Sequence, residues 1–106
     1  MPTPITNPVY MIVNADIHDP IRFAEYGRAN AALVKQFGGK YLVLGGARET
    51  LEGTWWDGKS VVSEWPTREA ALAYWHSPEY TEVRKLREGI CDARVVLVDG
   101  FPPMIK

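Results

Sequence analysis

From Val9 to Asp16 the chain alternates: Val9, Met11, Val13 and Ala15 form one apolar set, and Tyr10, Ile12, Asn14 and Asp16 fall between them. Period-two alternation of this kind predicts a strand with two unlike faces. Asp19-Pro20 then supplies a helix start, because Asp accepts free amide hydrogens and Pro at the first helical position loses no bond. Phe23, Tyr26, Asn30, Leu33 and Phe37 recur at steps of three and four, so they share one face of a helix running to about Phe37. Gly38-Gly39 should close it in a left-handed turn. Lys40 to Leu44 reads as a second strand, with Ala47 to Leu51 extending the sheet as a bulged arm. Lys59 to Trp65 reads as a third strand, ended by Pro66. Thr67 caps a second helix over 68–76, and Ser77-Pro78 restarts a third that runs to about Glu88. Arg94 to Asp99 is the last strand.

The order β-α-β-β-α-β, with its second helix broken in two, defines an α+β fold. It is the ferredoxin-like, split βαβ unit: a four-stranded antiparallel sheet with helices on one face. One domain spans 1–106, with an ordered core over about 9–100, and no repeat or linker calls for a second. Helices on one face leave the other bare. The Val9/Met11/Val13/Ala15 set belongs against the helices, as does bulky Trp65. Tyr10, Ile12 and Val62 therefore fall on the bare face, with Asn14 and Glu64 as polar insertions. A continuous apolar face of this kind needs cover, and a second copy of the chain, closing a two-fold barrel, is the simplest partner.

Composition narrows the classes of function. Lys and Arg number 12 against 13 Asp and Glu, a net charge of −1, which speaks against nucleic acid as a partner. No apolar run reaches the roughly 20 residues of a membrane span. The segment Met1 to Pro8 carries no Lys or Arg and no long apolar stretch, so a secretory signal is not expected. The single cysteine, Cys91, excludes an internal disulfide and points to a reducing, cytoplasmic setting. Cys91 has no His nearby in sequence and reads as inert.

Several residues bear chemistry. Glu64, set among Val62, Tyr10 and Ile12, would have its pKa raised by desolvation, which suits a general acid or base; the rival reading is a structural carboxylate paired with Arg. Tyr26 and Asn30 are either ligand-orienting groups or a hydrogen-bonded bridge from helix to strand. Tyr80 and Arg87 share a helix at i, i+7. Arg87 could clamp an anionic ligand or pair with Glu64. Asn14 is a lesser member of the same group. His76 suits a helix C-terminus, and His18 sits in a turn without an evident partner. The two lie too far apart for a zinc site, no Gly-rich phosphate loop appears, and no cofactor is called for. Trp55 and Trp56 are expected to lid a pocket or pack against a partner.

The chain also resembles the domain-of-unknown-function 1330 family, a branch of the dimeric α/β-barrel superfamily. Phe23-Ala24-Glu25-Tyr26, Asn30, Phe37 to Leu42, Gly45-Gly46, Leu51 to Gly53, Val62 to Pro66, Ala70-Ala71, Ser77-Pro78-Glu79-Tyr80 and Arg87 carry the likeness. It implies a homodimer whose sheets pack to enclose small-molecule pockets. In the wider superfamily such pockets serve cofactor-independent monooxygenases and isomerases, while the rival reading is a small-ligand-binding or stress-associated module without turnover. Haem degradation is a further alternative, on the superficial likeness of Asn14, Trp65 and His76 to an Asn, Trp and His used elsewhere in the superfamily.

Overall fold

A computed structural model describes residues 8–101; the Pro-rich tails expected at either end lie outside the described residues. Strand β1 spans Val9–Ile17, helix α1 Pro20–Gln36, β2 Lys40–Leu44, β3 Lys59–Trp65, α2 Arg68–Trp75, α3 Pro78–Arg84 and β4 Cys91–Asp99. The strands form one antiparallel sheet in the order β2-β3-β1-β4, the ferredoxin-like arrangement.

The caps fall where the residue types put them. Asp19 accepts the amide of Arg22 at 3.1 Å, Thr67 that of Ala70 at 3.1 Å, and Ser77 that of Tyr80 at 3.0 Å. Each relieves an amide at a helix start that has no partner within the helix. Helix α1 ends at Phe37, and Gly38 follows with φ +92°. Gly39 is needed for a different reason. A Cβ there would lie 2.7 Å from the Trp65 ring and 2.8 Å from Val34, so this turn packs its backbone directly on the core.

Alternation sorts the two faces as expected. Val9, Met11 and Ala15 are buried against the helices, as are Ser63 and Trp65 on β3. Trp65, fully buried, sits with Met11, Leu33, Val34, Ala71, Tyr74 and Tyr80 in one core cluster. The opposite face carries Tyr10, Ile12, Asn14 and Asp16 of β1 beside their register partners Val98, Val96, Arg94 and Asp92 of β4. Ile12 also pairs with Val62, and Val62 with Val43, so a band of aliphatic side chains crosses all four strands. Ile12, Val43, Val96 and Val98 remain exposed.

Three boundaries differ from expectation. Residues 47–51 form no strand; β2 stops at Leu44 after an irregularity between Tyr41 and Val43. The third helix gives way after Arg84 to a 3₁₀ turn, Lys85–Arg87. Strand β4 starts at Cys91, three residues before Arg94, because its pairing with β1 continues through Ile17 opposite Cys91. There the ladder overrides the weak strand preference of Asp92 and Ala93. Among the described residues no helix is long and apolar enough to cross a membrane.

Candidate functional site

Between the helix-facing side of the sheet and helices α1 and α3 lies a cavity of about 450 Å³, within the range of small-molecule sites. Met11, Val13, Val61 and Val95 form its floor on the sheet, while Phe23 and Tyr26 contribute from α1. Its walls are mainly apolar and aromatic. Behind the lining, Tyr74 and Tyr80 lie 4.7 Å apart between ring centroids, and Trp75 and Tyr80 5.1 Å, a continuous aromatic layer from α2 to α3. Trp75 keeps accessible surface, and the two tyrosines are buried.

Two polar networks border this space. In the first, the hydroxyls of Tyr26 and Tyr80 are 3.0 Å apart, and Nη2 of Arg87 reaches the Tyr80 oxygen at 3.5 Å. The Arg87 guanidinium also stands 5.6 Å from the centroid of the Tyr26 ring. In the second, the Tyr74 hydroxyl donates to Oδ1 of Asn30 at 2.6 Å, and Nδ2 of Asn30 donates to the Tyr41 oxygen at 3.3 Å. Burial pushes the Tyr26, Tyr41 and Tyr74 hydroxyls up from the ordinary phenol value, reinforced at each by neighbouring tyrosines. Cys91, also on the cavity wall, has its thiol pushed up by burial, partly offset by Arg87. Among the described residues, no carboxylate lines the cavity and none pairs with Arg87.

Tyr26, Asn30, Tyr80 and Arg87 are thus brought together, and Glu64 is not. Ser63 and Trp65 point to the helices, so Glu64 between them points to the other side, where its Oε2 accepts the Tyr10 hydroxyl at 3.0 Å. That acceptor raises the Tyr10 pKa. A Glu64–Arg87 couple, whether catalytic or structural, is therefore excluded by strand alternation. Asn14 falls on that same far face, opposite Ser60 and Arg94, and is buried there. Asn14 and Trp65 stand on opposite faces of one sheet, and His76 is an exposed helix cap, so these three do not converge on a haem-sized site.

Trp56 does not lid the cavity. Its ring stacks on the Arg94 guanidinium, 5.0 Å from the centroid, at one end of the bare face, with Trp55 5.7 Å from it. His18 has a partner after all: Nε2 lies 2.9 Å from Oδ2 of Asp92. Asp16 joins them, the three offering donor atoms within 4.8 Å of one another. His18 and Asp92 are exposed and paired with each other, and Asp16 beside them is half-buried. The residues that sequence reasoning missed are Tyr41 and Tyr74. Tyr41 had only its place on a strand beside the Gly-Gly turn as a signal, and Tyr74 only its helical step from Ala70 and Ala71.

The fold and cavity define a class: a ferredoxin-like α+β unit with a pocket between sheet and helices. Within that class the chain belongs to the domain-of-unknown-function 1330 family, whose profile matches residues 8–101. No curated protein matches it by sequence. Among solved structures it is similar to a protein of unknown function from Rhodopseudomonas palustris, at 21% identity and TM-score 0.74 over 92% of this chain and 85% of that one. It is similar also to SnoaB, a cofactor-independent oxygenase from Streptomyces nogalater, at 15% identity and TM-score 0.67 over 94% and 99%. A third is a dimeric protein of unknown function with a ferredoxin-like fold from Bacteroides fragilis, at 16% identity and TM-score 0.60 over 88% and 96%. At these identities the likeness is one of fold.

Proposed function

We propose that this protein is a small-ligand-binding module whose site is the cavity between the sheet and α1/α3, with Tyr26, Asn30, Tyr80 and Arg87 as its polar contacts. The observation that carries this reading is the joining of an apolar, aromatic-walled space of about 450 Å³ to one cluster of hydroxyl and guanidinium groups. That combination is what orients a bound molecule while its body is desolvated. Binding without acid–base turnover is favoured over an isomerase, because a general base should titrate near the working pH. Glu64, the best acid in the sequence, faces away from this space, and burial drives the lining groups Tyr26, Tyr41, Tyr74 and Cys91 in the direction that keeps them protonated.

A cofactor-independent oxygenase is the second reading. It is supported by the shared fold with SnoaB and by a site that could hold a substrate able to ionise by itself. Native mass spectrometry of the purified chain separates these readings. A retained molecule of constant mass, unaltered after incubation in air, fits a binding module. An oxygen-dependent mass gain in the released ligand would replace it with the oxygenase. An empty protein that takes up no hydrophobic small molecule would remove both.

The same proposal includes a homodimer formed through the Tyr10/Ile12/Val62 face. Exposed Ile12, Val43, Val96 and Val98 form a band of apolar surface suited to a second copy, and one neighbour of the same fold is described as dimeric. Light scattering should give roughly twice the 11.9 kDa chain mass, and Val96→Lys should return it to the monomer value. A monomer at micromolar concentration in the unsubstituted protein would refute the assembly and leave the cavity untouched.

A further inference from the structure

Resting on the cavity as the ligand site, the hydrogen-bond inventory says what kind of molecule fits. The guanidinium of Arg87 carries five N–H donors and no acceptor. One of its nitrogens is engaged with the Tyr80 oxygen, and its face rests on the Tyr26 ring, which leaves donors of the fork uncommitted. The Tyr26 and Tyr80 hydroxyls share one hydrogen bond between two protons, so one O–H remains to be given. At Asn30 the same holds: Tyr74 donates to the carbonyl and the amide donates to Tyr41, which leaves the Tyr41 proton free. Ser63 accepts the indole N–H of Trp65 and keeps its own proton to give, beside a second lone pair. The lining therefore presents several uncommitted protons and, among the described residues, no carboxylate to balance Arg87.

A half-buried guanidinium without a counter-ion, at the edge of an apolar space, is an incomplete ion pair. The completing group must carry acceptors and a negative charge. One cation suits a monoanion better than a phosphate dianion, since among the described residues the only other guanidinium of the lining, Arg28, is exposed. The rest of the ligand meets the lining rings that keep accessible surface, Phe23, Tyr26 and Trp75, a wall that favours a flat, conjugated body. We propose that the site binds a small aromatic carboxylate, its ring along that wall and its carboxylate taken by the Arg87 fork and the free hydroxyl proton of the Tyr26–Tyr80 pair.

Calorimetric titration of the full-length protein with benzoate, 2-naphthoate and the neutral isostere 2-acetonaphthone at neutral pH and low salt tests this. At least one carboxylate should bind on the order of tenfold more tightly than the ketone, the range expected of a charge-assisted contact. Arg87→Met should erase that preference, weakening the carboxylate far more than the ketone, which loses only a hydrogen bond to a neutral acceptor. Tyr26→Phe should weaken the carboxylate by roughly three- to tenfold. If Arg87→Met fails to fold by circular dichroism, Arg87→Lys serves instead, with a weakened and more salt-sensitive carboxylate preference. Equal binding of ketone and carboxylates, or a preference that survives loss of Arg87, overturns the anion assignment and leaves the cavity as a neutral-ligand site. Failure of all three probes to bind overturns the ligand-site reading as well.

Discussion

On the helix-covered face of the sheet, Ser63 takes the indole N–H of Trp65 at 2.9 Å, and Asn30, buried above the same face, is bonded at both ends of its amide. On the far face, the Asn14 amide is equally buried, yet neither its oxygen nor its nitrogen has a partner among the described residues. Both faces are built from alternate positions of the same strands, so strand propensity does not separate them. What separates them is the second layer. Helices α1–α3 bring hydroxyls and an amide to the first face, whereas Trp56 on Arg94 brings rings and hydrocarbon to the second. Polar groups on the covered face are satisfied, and their surplus donors are aimed at a cavity. The bare face is an apolar surface with one orphaned amide and paired charges at its edges.

If the covered face is the structural centre, the largest loss should come from Trp65. It is 0% exposed and contacts residues from both helical and strand layers. Trp65→Ala should cost about 3–5 kcal/mol in urea-unfolding free energy, enough to leave little folded protein at 37 °C. A loss below about 1 kcal/mol would mean that the core lies elsewhere. Tyr74→Phe is gentler and more specific. It keeps the ring but strips Asn30 of its donor at 2.6 Å, leaving a buried carbonyl unsatisfied. The expected loss is about 1–3 kcal/mol, and a change within error would show the Asn30 network to be slack.

How much of this contrast could be read from the residues is itself uneven. The caps at Asp19, Thr67 and Ser77, the four strands and the sorting of Val9 and Met11 against Tyr10 and Ile12 follow from local chemistry, and sequence reasoning finds them. It also places Tyr26, Asn30, Tyr80 and Arg87 in one group. It fails at Glu64, although the alternation that puts Trp65 against the helices already sends Glu64 to the other side. The residues alone suggest a carboxylate partner for Arg87, and the structure supplies two phenols instead. Tyr41 and Tyr74 were missed because their meeting depends on the angle at which α1 crosses the sheet, which no local pattern encodes. The His18–Asp92 contact joins the bend after the first strand to the last strand and is invisible for the same reason.

The bare face reverses the sign of the Tyr74 experiment. Asn14→Val removes an amide whose two polar atoms are buried without partners and substitutes a β-branched residue suited to a strand. Unfolding free energy should rise by about 1–2 kcal/mol. A fall instead would show that Asn14 is hydrogen-bonded in solution, and the contrast between the faces would shrink to their apolar content.

The smallest effect belongs to the charged edge of that face. Asp16 and Asp92 stand directly opposite each other on β1 and β4, and like charges at such a pair destabilise it. His18, 2.9 Å from Asp92, relieves this when protonated. The hydrogen bond to Asp92 raises its pKa above the ordinary 6.5 against an opposing effect of burial, and the charges of Asp92 and Asp16 raise it further. A histidine with a raised folded-state pKa contributes stability that is complete below its unfolded value and lost as pH rises through the folded one. Both side chains are largely exposed, so the effect is small and screened by salt. Thermal melts from about pH 5.5 to about pH 8.5 should therefore give the native protein a slight advantage over His18→Gln on the acid side, vanishing above the folded-state pKa and shrinking in high salt. An advantage that is constant across the range would mean that His18 holds β1 to β4 by its neutral hydrogen bond alone, and the carboxylate pair would then stand uncompensated at neutral pH.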